Sequence, residues 1–350
     1  MPNRLIKYLS PLLLLVALSV HGSDTVKVYI LAGQSNMEGK AKNSLWNYQA
    51  TDEKTSDFFA HLRDGNQWIA RDDVFIKYLD RHGPLTLGYG TRDRSGSEFE
   101  FGYVMGEHHD EPVLLIKAAW GGHSLYKLFR SPSNPPTEEI LQADLEQQIK
   151  KVRRNNEKRN RNDPLPTMEQ VRSEYGKSYR NMFAEIDHAR EELASLFPSL
   201  KGKQLEFAGL FWFQGWNDQY NGAEVEYASN MQWFIKDVRK DLATPELPVV
   251  IAMMGQNMSN EAKGPMKAIQ DAQKSMEEIE DFRGNVKAVR TDLLVDQAAE
   301  SLYPGWKENL EQWERTGSDR PYHYLGSAIW FTRIGRECGR AMIELQRARD

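Results

Sequence analysis

At 350 residues, with 40% hydrophobic and 11% aromatic side chains, the chain can bury a sizeable core and is no disordered polymer. A net charge of −5 gives no electrostatic reason to expect a nucleic-acid partner, which usually needs a basic face, so none is expected. The single cysteine, Cys338, cannot close an intrachain disulfide, so the fold must stand on its core.

The first residues read as a signal peptide. Arg4 and Lys7 form a basic region, Leu12 to Val20 an apolar run, and Val20-His21-Gly22 a cleavage site before Ser23. Residues 1–22 are therefore set apart, and a secreted or periplasmic location is expected. The apolar run is short for a bilayer, so no stable membrane insertion is expected after cleavage.

The mature chain, 23–350, alternates apolar strands with amphipathic helices. Strands are expected at Thr25–Leu31, Pro112–Ala119, Phe207–Phe213, Leu247–Met254 and Val286–Thr291. Helices are expected at Tyr175–Phe197, Glu224–Leu242, Glu261–Ile279 and Gly326–Arg347. Unbroken apolar strands between helices indicate an α/β protein with a parallel sheet covered on both faces. Two stretches interrupt the alternation and read as insertions, near 43–96 and 131–166. The charge run Lys150–Arg161 in the second, with Glu157 among its basic residues and further acids on either side of it, reads as a solvated helix face in preference to an anionic-polymer contact.

Ligand sites in open parallel sheets lie at the carboxyl ends of the strands. Three strands here end in glycine-bearing polar turns: Gly33-Gln34-Ser35-Asn36-Met37, Trp120-Gly121-Gly122-His123 and Gln214-Gly215-Trp216-Asn217-Asp218. Ser35 stands in a strand-to-helix turn that exposes its hydroxyl beside backbone N–H groups. A serine nucleophile needs a base, and His323, just before the last helix, is the leading candidate. Ser35 N–H, a glycine N–H such as that of Gly122, and an amide from Gln214 or Asn217 could hold an oxyanion. Each piece alone has a plainer explanation, in helix capping or in glycine permitting positive φ. The ordered set carries the reading.

Those blocks resemble the SGNH hydrolases, in the branch of sialate O-acetylesterases and certain acetyl-xylan esterases. Gly33–Met37 is similar to the nucleophile block, Trp120-Gly121-Gly122 to the second, Trp212–Asp218 to the third and His323–Ser327 to the histidine block. The resemblance runs from about Val26 to Met342. It implies a flavodoxin-like three-layer α/β/α fold with a central parallel sheet, no metal and no cofactor, and removal of O-acetyl groups from carbohydrate, either an acetylated polysaccharide or a sialic-acid-like sugar. It also groups Gln34 with the oxyanion and substrate-binding residues Gly122, Gln214 and Asn217. Two departures stand out. The family commonly has an Asp three residues before the histidine, where this chain has Arg320; Asp319, four before, could serve if the loop bulges. Trp216 replaces a Glu frequent in the third block. Trp46, Tyr48 and Trp68 could stack on sugar rings or pack a small core of their own. The rival readings are a carbohydrate-binding protein without chemistry and a glycosidase built on Asp218 and Asp292.

Overall fold

The computed structural model describes residues 24–348. The expected signal peptide, 1–22, lies outside them. A seven-stranded sheet forms the middle layer: β1 (Thr25–Gly33), β2 (Val74–Tyr78), β3 (Arg81–Pro84), β4 (Val113–Ala119), β5 (Gln204–Phe213), β6 (Val249–Ala252) and β7 (Val286–Val289). The strand order is β7-β6-β5-β1-β4-β2-β3, parallel throughout except for the edge pair β2–β3.

Alternate side chains feed the two faces. Val28, Ile30, Leu114, Ile116, Leu210 and Trp212 pack under α4 (Lys177–Glu191), α5 (Tyr227–Asp241) and α6 (Gly264–Ser275). Tyr29, Leu31, Leu115, Phe211 and Phe213 pack against α2 (Glu98–His108) and α7 (Ala328–Arg347), while α1 (Ser35–Glu38) is a single turn after β1. The result is the expected three-layer α/β/α architecture. Burying each large apolar side chain contributes about 1.5–3 kcal/mol, so the double-faced core dominates stability.

The stretch 43–96 supplies β2 and β3, so part of it builds the sheet itself. Its apolar run Val74-Phe75-Ile76-Lys77-Tyr78 is only five residues long and is flanked by charge, which hid it in the sequence. Trp46 is fully buried against Phe59, Trp68 and Phe99. Trp46 therefore packs a core and offers no sugar platform, while Trp68 packs on its edge from a part-exposed position. The expected helix Tyr175–Phe197 is interrupted: Gly176 at φ +71 starts α4 at Lys177, and a break at Glu192 precedes a separate turn, Leu193–Leu196. The stretch 131–166 holds α3 (Glu138–Arg159), capped by the Thr137 side chain and closed by left-handed Asn160. Only Leu141 of α3 is buried. Among the described residues no helix is long and apolar enough to cross a membrane.

Candidate active site

β1, β4 and β5 are neighbours, so the three glycine turns that follow them meet at one edge of the sheet. Gly33 is required there: a Cβ on it would stand 2.2 Å from the Phe213 carbonyl oxygen. The close approach lets Gln34 N–H donate to that oxygen at 3.2 Å and launches α1 with Ser35 at its start. N–H groups in a first helical turn have no intrahelical acceptor and are available to an anion.

His323 comes from the far end of the chain, on the turn Pro321–Gly326. Its Nε2 lies 3.0 Å from Ser35 Oγ. Its Nδ1 lies 3.2 Å from Asp319 Oδ2, within ion-pair reach but bent away from a straight hydrogen bond. The four-residue spacing closes because Tyr324 (φ +53), Leu325 (φ +57) and Gly326 (φ +55) are consecutive left-handed residues. Ser318 and Asp319 donate their N–H groups to the Leu325 carbonyl at 2.8 and 3.0 Å, pulling Asp319 back towards His323. Two non-glycine residues in that region cost about 1–3 kcal/mol each. Tyr324 offsets the cost: fully buried, its hydroxyl accepts from Gly255 N–H and pairs with Thr291 Oγ1, both at 2.9 Å. Asn36 Nδ2 donates to the Tyr322 carbonyl at 3.1 Å and ties the serine turn to the histidine turn.

Asp319 has a second cation. Arg94 Nη1 reaches Asp319 Oδ2 at 2.6 Å and the Lys40 carbonyl at 2.5 Å. Burial pushes the Asp319 carboxyl up, but the close, bent contact with His323 and the hydrogen bond from the Arg320 N–H, with the charges of His323 and Arg94, outweigh it and hold it at about 2. It is therefore ionised at any ordinary pH.

The third block divides its labour. Gln214 is buried, and its Nε2 faces Gln34 Oε1 at 3.2 Å, the His123 carbonyl at 3.1 Å and Asp218 Oδ2 at 2.6 Å. Gln34 Oε1 also accepts from Gly215 and Asn217 N–H, both at 3.3 Å. Both glutamines thus brace the loops from inside and point away from the cleft. Asn217 stays part-exposed, its Nδ2 donating to the Gly122 carbonyl, and Gly122 takes φ +78. Asp218 receives Leu125 N–H at 3.0 Å and Tyr126 N–H at 2.7 Å, locking the second block to the third; its burial pushes the carboxyl up to about 6. Asp292 is paired with Arg290. The two acids invoked for a glycosidase are each committed elsewhere.

Sequence reasoning missed Arg94, Glu38 and Lys117. Glu38 Oε1 takes the Gly121 N–H at 2.7 Å and Oε2 the Lys40 ammonium at 2.6 Å. Lys117, fully buried on β4, donates to the carbonyls of Glu38 and Tyr89 at 2.8 Å each and pairs with buried Glu98 at 3.1 Å. Its charged state within a strand was the one available signal; Arg94 had none. The aromatic rings beside the site are those of Trp216 and Tyr322, 6.0 Å apart, with Tyr322 4.6 Å from the His323 ring. Among the described residues no group of His, Cys, Asp and Glu gathers as a metal site.

Comparison with known proteins places these residues in context. The profile of the family described as "Carbohydrate esterase, sialic acid-specific acetylesterase" matches residues 25–161 and 166–300. No curated protein matches the chain. Among solved structures, an Arabidopsis thaliana protein is similar at 16% identity, covering 76% of this chain and 86% of that one, with a TM-score of 0.42. A carbohydrate acetylesterase from Xanthomonas citri is similar at 12% identity over 75% of this chain and 49% of its own, TM-score 0.37. NanS is similar at 12% identity over 77% of this chain and 78% of its own, TM-score 0.41.

Proposed function

The chain belongs to the carbohydrate esterase family of sialic acid-specific acetylesterases, and from that premise we propose that it is an exported serine esterase that removes O-acetyl groups from carbohydrate. The single observation that carries the serine mechanism is the line from Ser35 Oγ to His323 Nε2 at 3.0 Å and from His323 Nδ1 to Asp319 at 3.2 Å.

In this mechanism Ser35 Oγ attacks the ester carbonyl while His323 Nε2 takes its proton. Ser35 N–H, Gly122 N–H and the Asn217 amide receive the charge that develops on the carbonyl oxygen. His323 then gives the proton to the departing sugar oxygen, leaving an acetyl-serine. A water molecule, deprotonated by His323, attacks that ester and releases acetate, restoring Ser35. Asp319 stabilises the imidazolium in both halves. Gln34, Gln214 and Asp218 act by positioning the loops. The signal peptide at residues 1–22 directs the enzyme out of the cytoplasm.

The test is hydrolysis of 4-nitrophenyl acetate together with acetate release from acetylated glycans. Ser35→Ala is expected to cost at least about a thousandfold in turnover while leaving the fold intact. Most activity surviving in a clean Ser35→Ala preparation defeats the mechanism, and release of reducing sugar in place of acetate defeats the reaction class.

A further inference from the structure

The outer half of α3, away from the site, is strongly basic. Lys150, Lys151, Arg153, Arg154, Lys158 and Arg159, with Arg161 just beyond, are all exposed, and Glu157 is the only acid among them. Among the described residues none of these seven side chains has a carboxylate partner. This concentration sits in a chain of net charge −5. The helix macrodipole favours cations only in the last turn, which accounts for Lys158 and Arg159 and leaves the other four helical cations without a structural reason. Lys150, Arg154 and Lys158 follow at i, i+4 and i+8, a spacing at which like charges disfavour the helix.

Three of these cations, Lys150, Lys151 and Arg154, border a groove of about 700 Å³. Gln147, Gln148, Lys150, Lys151, Arg154 and Asn155 line it from α3. The two acids on its wall, Asp144 and Glu174, share the Lys127 ammonium at 2.8 and 2.5 Å, which offsets one of their two charges. Gln148 Nε2 donates to both acids at 3.2 Å, so three cations, an excess of two positive charges, and the amides of Gln147 and Asn155 remain to face a ligand. No aromatic side chain lines the groove, so there is no platform for stacked bases, and the strip carries no apolar face to enter a lipid surface. Cations for repeated anionic groups and amides for hydroxyls match an acidic glycan.

We propose that this groove binds an anionic polysaccharide, through its carboxylate or sulfate groups, outside the esterase centre. The groove's cations, Lys150 to Arg154, span about 6 Å along the helix, and Lys158 continues the row about 6 Å beyond the groove, so an extended chain seated in it meets further positive charge. The choice of a glycan over other polyanions rests on the carbohydrate-esterase reading; the binding itself does not depend on turnover.

The experiment measures affinity of the full chain for polygalacturonate, dextran sulfate and neutral dextran at low and high salt. The variant is Lys150→Gln/Lys151→Gln/Arg154→Gln, and a control neutralises exposed Lys54, Lys201 and Lys263 to Gln. The expected result is salt-sensitive binding to at least one acidic polymer and none to dextran. The groove variant should bind at least tenfold more weakly, the control should bind like wild type, and all three should hydrolyse 4-nitrophenyl acetate equally. Preference for polygalacturonate or for dextran sulfate tells carboxylate from sulfate. No acidic-polymer binding by wild type, equal weakening in the control, or tighter binding to phosphatidylserine vesicles or single-stranded DNA overturns the proposal. Failure of the esterase reading appears separately, as absent nitrophenyl acetate hydrolysis with polymer binding retained.

Discussion

Asp319→Asn removes the anion 3.2 Å from His323 Nδ1 and leaves the Arg94 guanidinium, 2.6 Å away, without its partner. In a buried and aligned triad, the corresponding change costs about 10⁴ in turnover. Two features of this loop reduce that figure. The Nδ1 contact is bent, and Oδ2 is shared with Arg94, whose positive charge offsets part of the carboxylate's field at the ring. Taking roughly half the free energy leaves about a hundredfold, or ~2.7 kcal/mol. The assay is steady-state hydrolysis of 4-nitrophenyl acetate, with kcat reduced and KM little changed. His323→Ala should cost at least as much, and the double variant should be no worse than His323→Ala, because the two groups act as one unit. A fall of less than about threefold for Asp319→Asn refutes the reasoning and reduces the site to a Ser35–His323 dyad.

Lys117→Met should lower unfolding free energy by about 3–5 kcal/mol in denaturant titrations, because it strands the charge of buried Glu98; adding Glu98→Gln should restore part of the loss. Asp218 yields a pH signature. Its folded carboxyl, at about 6, stands above the unfolded value of 3.8, so the folded state binds the extra proton and this group's contribution to stability falls as pH rises from about 4 to about 6. The stability difference between wild type and Asp218→Asn should therefore shrink across that window by up to about 3 kcal/mol, and a flat difference in thermal melts counts against it.

Much of this protein was legible in local pattern. Strands buried on both faces are continuous apolar runs, so β1, β4 and β5 stood out, and with them the glycine turns at their ends. The parallel order of those strands follows from the helices between them, and Ser35 and His323, 288 positions apart, were paired because a serine nucleophile needs a base. Local pattern failed where neighbours decide. β2 is short and charge-flanked, and becomes a strand because β4 offers it an edge. Gln214 has the chemistry of an oxyanion donor, but Gln34 and Asp218 turn its amide inward. Asp319 stands one residue from its expected place, and only the left-handed run Tyr324–Gly326, held by the buried Tyr324 hydroxyl, returns it to His323. Arg94 reaches that carboxylate from 225 residues away through a two-residue ribbon, Ala41–Lys42 against Arg94–Ser95. Periodicity reports what a segment does with its own backbone; the direction of a polar side chain is set by whichever donor or acceptor the tertiary fold brings within 3 Å.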